Sequence, residues 1–344
     1  MADPTDPEPV SGEDRIRLIR RRKVTVASFA LFSVAIPAGA IVDLRMRTQT
    51  GDHWSLGFIA LWIVFVYAPF CHWVWGGGWM AEWGIKDFAG GIVVHTTAGF
   101  SALAAVHVLG SRAKIEGSDP DNTPHNIPFV GLGTALLWFG WFGFNGGSTL
   151  GADVNIALIN LNTQLAAAAG ALGAALYRVI ARRPVLLTET VNGSLAGLVA
   201  ITAGCATMTP GFAIITGLLG GLLVGPGSRL LLSMKLDDVV GAVPVHAFAG
   251  AWGTLAAGLF YQGDLFDPQR VTVQLLGIVV AFAWAFFAAL ILYMVLSLTA
   301  GLRAPSQHEQ RGLDVSEHAE LGYPEFAQQH LYDADVASGL DSPR

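Results

Sequence analysis

Asp87-Phe-Ala-Gly-Gly-Ile-Val-Val-His95 and Asp238-Val-Val-Gly-Ala-Val-Pro-Val-His246 are two copies of one pattern. Each sets an aspartate at the head of an apolar stretch and a histidine eight residues on. Eight residues of helix rise about 12 Å, which carries each histidine from a membrane edge toward the bilayer middle. An ionisable side chain at that depth is costly and marks function by default. The copies lie five apolar spans apart, so their helices run in opposite directions. Inverted repeats of this kind place a site at the midplane between the halves.

Apolar stretches surround both copies along nearly the whole chain. Of the 344 residues 53% are hydrophobic and only 13% charged, against about 25% charged in a soluble domain. Stretches near the 20 residues that cross a bilayer run roughly 24–43, 54–75, 88–110, 126–147, 155–180, 185–208, 210–233, 238–261 and 271–299. Their pattern is helical and lacks the alternation of barrel strands. The expected fold is an all-α polytopic membrane protein of about nine transmembrane helices. A polar N-terminal segment (1–23) precedes the transmembrane domain (24–300), and a tail (301–344) follows it. The net charge of −6 comes mainly from acidic ends, which read as solvated termini. No basic patch for nucleic acid and no cleavable signal peptide is visible. Cys71 and Cys205 read as small core residues.

Basic residues stay on the cytoplasmic side. Arg45 and Arg47 follow the first span, Arg112 and Lys114 the third, Arg182 and Arg183 the fifth, Arg229 and Lys235 the seventh, and Arg303 and Arg311 the ninth. The chain is therefore expected to be a multi-pass protein of the cell membrane with a cytoplasmic C-terminus. The N-terminus breaks this pattern, since Arg15, Arg17, Arg20, Arg21, Arg22 and Lys23 abut the first span on what should be the outer side. The repeat count offers a reason. Five helices lead up to and include His246, but only three lead to His95, so two helices are expected to be missing before Lys23.

Several other residues could carry chemistry. Asp87 and Asp238 each precede a first helical turn, where a carboxylate caps free amides; Asp87 could also bias an outer vestibule toward cations. His107 reads as structural and His72 as interfacial. Trp73, Trp79 and Trp83 read as belt anchors. Trp75, followed by three glycines, could offer its π face to a cation. In Trp138-Phe-Gly-Trp141-Phe-Gly-Phe144-Asn145-Gly-Gly-Ser148, core packing and a gate at Phe144 are equally open on spacing alone. A histidine pair can also be the axial ligands of a haem. No nucleotide-binding loop, nucleophile elbow, metal cluster or paired-carboxylate pattern appears, so an enzyme is not expected.

Trp75-Gly-Gly-Gly, the Asp87–His95 copy, Gly140-Trp-Phe-Gly-Phe-Asn-x-Gly-Ser148, Val245-His246 and the tail motifs Gly301-Leu-Arg and Gly312-Leu-Asp-Val-x-x-His318 with Tyr323 resemble the ammonium transporter (Amt/Mep/Rh) family. The resemblance covers about Thr25 to Tyr323. It implies a remnant of an eleven-helix inverted-repeat fold that lacks the first two family helices. It also implies a homotrimer with one pore per subunit, no cofactor, and a cytoplasmic PII-type regulatory protein as partner. His95 and His246 match the twin pore histidines, which the family leads one to expect joined by a hydrogen bond. Trp75, Ser148 and Asp87 match the outer recruiting region, and Phe144 and Phe29 the two phenylalanine gates. The implied activity is passage of ammonium/ammonia through a hydrophobic pore. Ammonium sensing, a truncated non-functional fragment and a bis-histidine haem protein are the alternatives.

Overall fold

The computed structural model describes residues 53–112, 124, 126–300, 302–305, 308, 313 and 322. The first expected span, its gate candidate Phe29, the segment 1–23 and most of the tail lie outside the described residues. Among the described residues all regular structure is helical. The helices are α1 (His53–Trp62), α2 (Ala68–Trp75), α3 (Trp79–Glu82), α4 (Thr97–Leu109), α5 (Ile127–Gly146), α6 (Asn155–Ile180), α7 (Leu187–Thr202), α8 (Pro210–Ser233), α9 (Ala249–Leu259) and α10 (Pro268–Ala300). A π-helical turn (Ile63–Tyr67) joins α1 to α2, and π-helical segments Gly91–Thr96 and Val243–Phe248 lead into α4 and α9.

Six of these rods are long and apolar enough to cross a membrane, from Gly57–Glu82 to Pro268–Thr299. The expected spans 185–208 and 238–261 are also helical but shorter. One is the 16-residue α7, and the other is the π segment of 6 residues followed by the 11 of α9. Their ends are loops that carry the site, which explains why hydropathy alone overstated their length.

Local chemistry sets the helix starts. Asn126 accepts a hydrogen bond from the Phe129 amide at 2.9 Å, with Pro128 in the first turn of α5. Both are N-terminal signals, because they satisfy or remove donors that lack intrahelical partners. Asp267 likewise accepts from Gln269 and Arg270 at the head of α10. After α6, buried Arg178 closes the turn by donating to the Pro184 carbonyl (2.7 Å) and to Glu189 (3.0 Å).

The interior is built around the π-helical segments and α4. Gly91 to Phe100 is buried without a break. α10 packs along α4, while α6, α7 and α8 form a mutually packed group on the other side. By contrast α5 presents an apolar face outward, with Phe139 76% exposed and Phe129, Leu132 and Leu136 beside it. In water such a face would be a liability; against lipid tails it carries no such penalty.

Candidate functional site

The two Asp–His copies fold to the same plan, a capping aspartate, a left-handed glycine and a π turn that holds the histidine. Asp87 takes hydrogen bonds from the amides of Gly90 (3.1 Å), Ile92 (3.3 Å) and Val93 (3.0 Å). Asp238 takes them from Ala242 (3.0 Å) and Val243 (2.7 Å). Three residues after each aspartate a glycine sits in the left-handed region, Gly90 at φ 112° and Gly241 at φ 76°, a backbone state that a side chain disfavours. The Gly90 carbonyl then accepts from both Val94 and His95. The widened π turn that follows each glycine contains the histidine, and π turns recur at functional sites because they re-aim one side chain.

The helices bearing the histidines cross through glycine. A Cβ on Gly99, four residues after His95, would collide with the backbone of His246 and Ala247. A Cβ on Gly250, four residues after His246, would lie 2.8 Å from Thr96 Oγ1 and 3.2 Å from its amide. This reciprocity is what an approximate two-fold axis between inverted repeats produces. It brings the two imidazoles together, with ring centroids 5.3 Å apart and planes within 14°.

Trp141 and Phe144 complete the cluster. Trp141 lies nearly parallel to His95 at 5.1 Å, and Phe144 tilts against the same ring at 5.6 Å. The Trp141 indole N–H donates to Thr202 Oγ1 at 3.0 Å, which fixes its plane. His95 is fully buried, and neither of its nitrogens has a partner among the described residues; His246 Nδ1 also lacks one. The expected hydrogen bond between the rings is thus not formed. The pair is held by helix crossing and aromatic packing instead. Nor is there room beside the rings for a haem macrocycle, since His95 is fully buried and Trp141 and Phe144 pack against it.

Of the remaining candidates, Trp75 joins Asp87 directly. The Trp75 indole N–H donates to the Asp87 carbonyl at 2.8 Å, and its ring edge would lie 3.2 Å from a Cβ on Gly90. Trp75 and Phe144 border the same apolar cluster. Ser148, partly buried in a 3₁₀ turn, donates its proton to the Phe144 carbonyl at 2.8 Å, so its oxygen still offers lone pairs. Asp87 differs from a vestibule carboxylate. It is buried, and both its oxygens accept from amides of the helix start. Burial pushes its carboxyl up to about 6 against the pull of the surrounding amides.

His72 and His107 are exposed, unlike the pair. Trp73, Trp79 and Trp83 form a chain of ring contacts with Trp284. Sequence reasoning missed Trp141 as a neighbour of His95. Its spacing of three from Phe144 already put the two rings on one helix face, which was the available signal.

The family profile described as Ammonium Transporter Family matches residues 19–323. The chain is 41% identical over 327 residues to the ammonium transporter Amt2 of Archaeoglobus fulgidus, covering 87% of this chain and 70% of that one. Among solved structures it is similar to one titled Sensor Amt Protein, with TM-score 0.75, 36% identity, and 83% of this chain and 74% of that chain covered. It also resembles Saccharomyces cerevisiae Mep2, with TM-score 0.71, 28% identity, and 80% and 65% covered. The Amt2 relative is named as a transporter rather than an enzyme. By profile, sequence and fold together, the chain belongs to the ammonium transporter family.

Proposed function

We propose that this chain conducts ammonium/ammonia across the cell membrane through a hydrophobic pore lined by His95 and His246. The observation that carries this reading is His95 itself, fully buried among aromatic and apolar side chains with both nitrogens unpartnered among the described residues. A buried polar group without a partner costs about 1–3 kcal/mol, so a fold keeps one where a passing molecule satisfies it.

The parts then act in sequence. Trp75 offers an indole face to the cation, and the Ser148 oxygen accepts one of its N–H groups. Phe144, with Phe29 as the second expected gate, closes the way to the histidines. Behind them an unpaired charge costs several kcal/mol or more. Ammonium gives its proton to water on the outer side before that segment and crosses as ammonia; potassium has no proton to release and is refused. Neutral imidazole nitrogens give and accept hydrogen bonds along the way. The loop charges support an outside position for the Asp87 end and a cytoplasmic C-terminus. The family resemblance supports a homotrimer in the lipid membrane and a PII-type partner at the cytoplasmic face.

The test is uptake of an ammonium analogue into proteoliposomes. Uptake that is saturable, selective against potassium and weakened by Trp75→Leu but not by Trp79→Leu is expected. If the two tryptophan variants behave alike, Trp75 is a belt residue only.

A further inference from the structure

The segment between α3 and the π-helical stretch Gly91–Thr96 has no regular structure, yet its backbone ties the whole site together. The Asp87 carbonyl holds the Trp75 indole. The Phe88 amide donates to the Ala203 carbonyl (2.9 Å) and the Ala89 amide to that of Thr202 (3.2 Å). Thr202 in turn holds Trp141 against His95. One residue earlier, Lys86 is gripped at both backbone groups by a single side chain from the far end of the chain. Its amide donates to Gln274 Oε1 and its carbonyl accepts from Gln274 Nε2, each at 2.8 Å.

Gln274 lies on α10 and is fully buried. Its Nε2 also donates to the Thr254 carbonyl at 2.8 Å, eight residues past His246 on the helix of the other repeat. Both carboxamide protons are therefore used, along with the oxygen. The fold makes room for this side chain, since a Cβ on Gly258 would lie 2.8 Å from Gln274 Cγ. A buried glutamine is often no more than glue between two helices. Here it joins two helices through Thr254 and also clasps one loop residue whose own side chain is exposed. Gln274 holds Lys86 through its backbone, while the Lys86 ammonium lies over the Tyr261 ring, 6.0 Å from its centre; what the clasp sets is the register of the next residue, Asp87.

We propose that Gln274 is a positioning residue for cation capture: by clasping the Lys86 backbone it fixes Asp87, and through the Asp87 carbonyl the plane of the Trp75 indole. The assignment rests on the reading of Trp75 as the recruiting surface. Without the clasp, the loop that carries the indole's anchor is free to shift, while the histidine crossing, secured by Gly99 and Gly250, stays. Capture weakens and maximal conduction largely survives.

The experiment combines methylammonium uptake in proteoliposomes with hydrogen exchange of the same protein. Gln274→Leu is expected to raise the half-saturating concentration about threefold or more, the scale of a lost cation–π contact, with less than about a twofold change in maximal rate. Exchange should quicken at amides 86–93 and stay unchanged in α6 to α8. Gly258→Ala, which pushes on the Gln274 stem, should give the same signature in milder form and serves if Gln274→Leu does not fold. In a Trp75→Leu background, Gln274→Leu should add little. Unchanged exchange at 86–93, or effects of Gln274→Leu and Trp75→Leu that multiply, overturns the assignment of Gln274. A wild-type half-saturation in Trp75→Leu instead overturns the recruitment reading itself.

Discussion

His95 is packed as a core residue and equipped as a polar one. Trp141 and Phe144 press on its ring while its nitrogens go unpaired, so its replacement should separate conduction from folding. His95→Ala and His246→Ala are each expected to lower the rate of methylammonium uptake or admit potassium, while the protein keeps its helical circular dichroism. Wild-type rate and selectivity in both would remove the pair from the pore. Asp87 makes a second prediction at this scale. Its carboxyl, raised by burial to about 6, is neutral in acid and gains a negative charge as pH rises through that value. A nearby negative charge attracts the arriving cation, so half-saturation should improve between about pH 5 and 7. Asp87→Asn should flatten that profile. The same shift means that folding favours the protonated carboxyl. This group's contribution to stability is fully present below its unfolded value near 4 and is lost as pH rises through about 6.

At the scale of elements, the decisive feature is how closely two helices cross. Gly99 and Gly250 admit the partner backbone where any side chain would collide, and the imidazoles face each other only because of that approach. Gly99→Ala should therefore destabilise by about 1–3 kcal/mol, as overpacking does, and should slow uptake by moving the rings apart. Gly143→Ala on α5, where a Cβ would meet nothing within 4 Å, is the control and should leave both unchanged. Thermal unfolding in detergent and uptake measured side by side decide it. The paired caps belong to this scale too. Asp87 and Asp238 were legible as caps because an acidic residue ahead of an apolar run is an N-terminal signal. The π turn behind each was not, since widening a turn by one residue leaves no mark in hydropathy.

For the molecule as a whole, sidedness is the property to measure. Arg and Lys gather on alternate loops, and the proposed orientation then puts Lys86 outside and Lys235 in the cytoplasm. Both are exposed. In a background of Cys71→Ser and Cys205→Ser, Lys86→Cys should react with an impermeant maleimide applied to intact cells. Lys235→Cys should react only after the membrane is opened. The reverse pattern would invert the proposed direction of recruitment.

The chain itself determined the membrane class, the helical spans and the two Asp–His copies, because long apolar runs and buried ionisable residues have few physical outcomes. It also determined that Trp75, Phe144 and Ser148 were worth naming, through motifs. Tertiary structure decided the rest. That His95 stacks on Trp141 and leaves its nitrogens unpaired among the described residues, and that Gln274 reaches across 188 residues of chain to Lys86, are facts of packing between distant segments. Sequence spacing reports neighbours along one helix; which helix approaches another, and how closely, follows from the small residues at a crossing that only the folded bundle assembles.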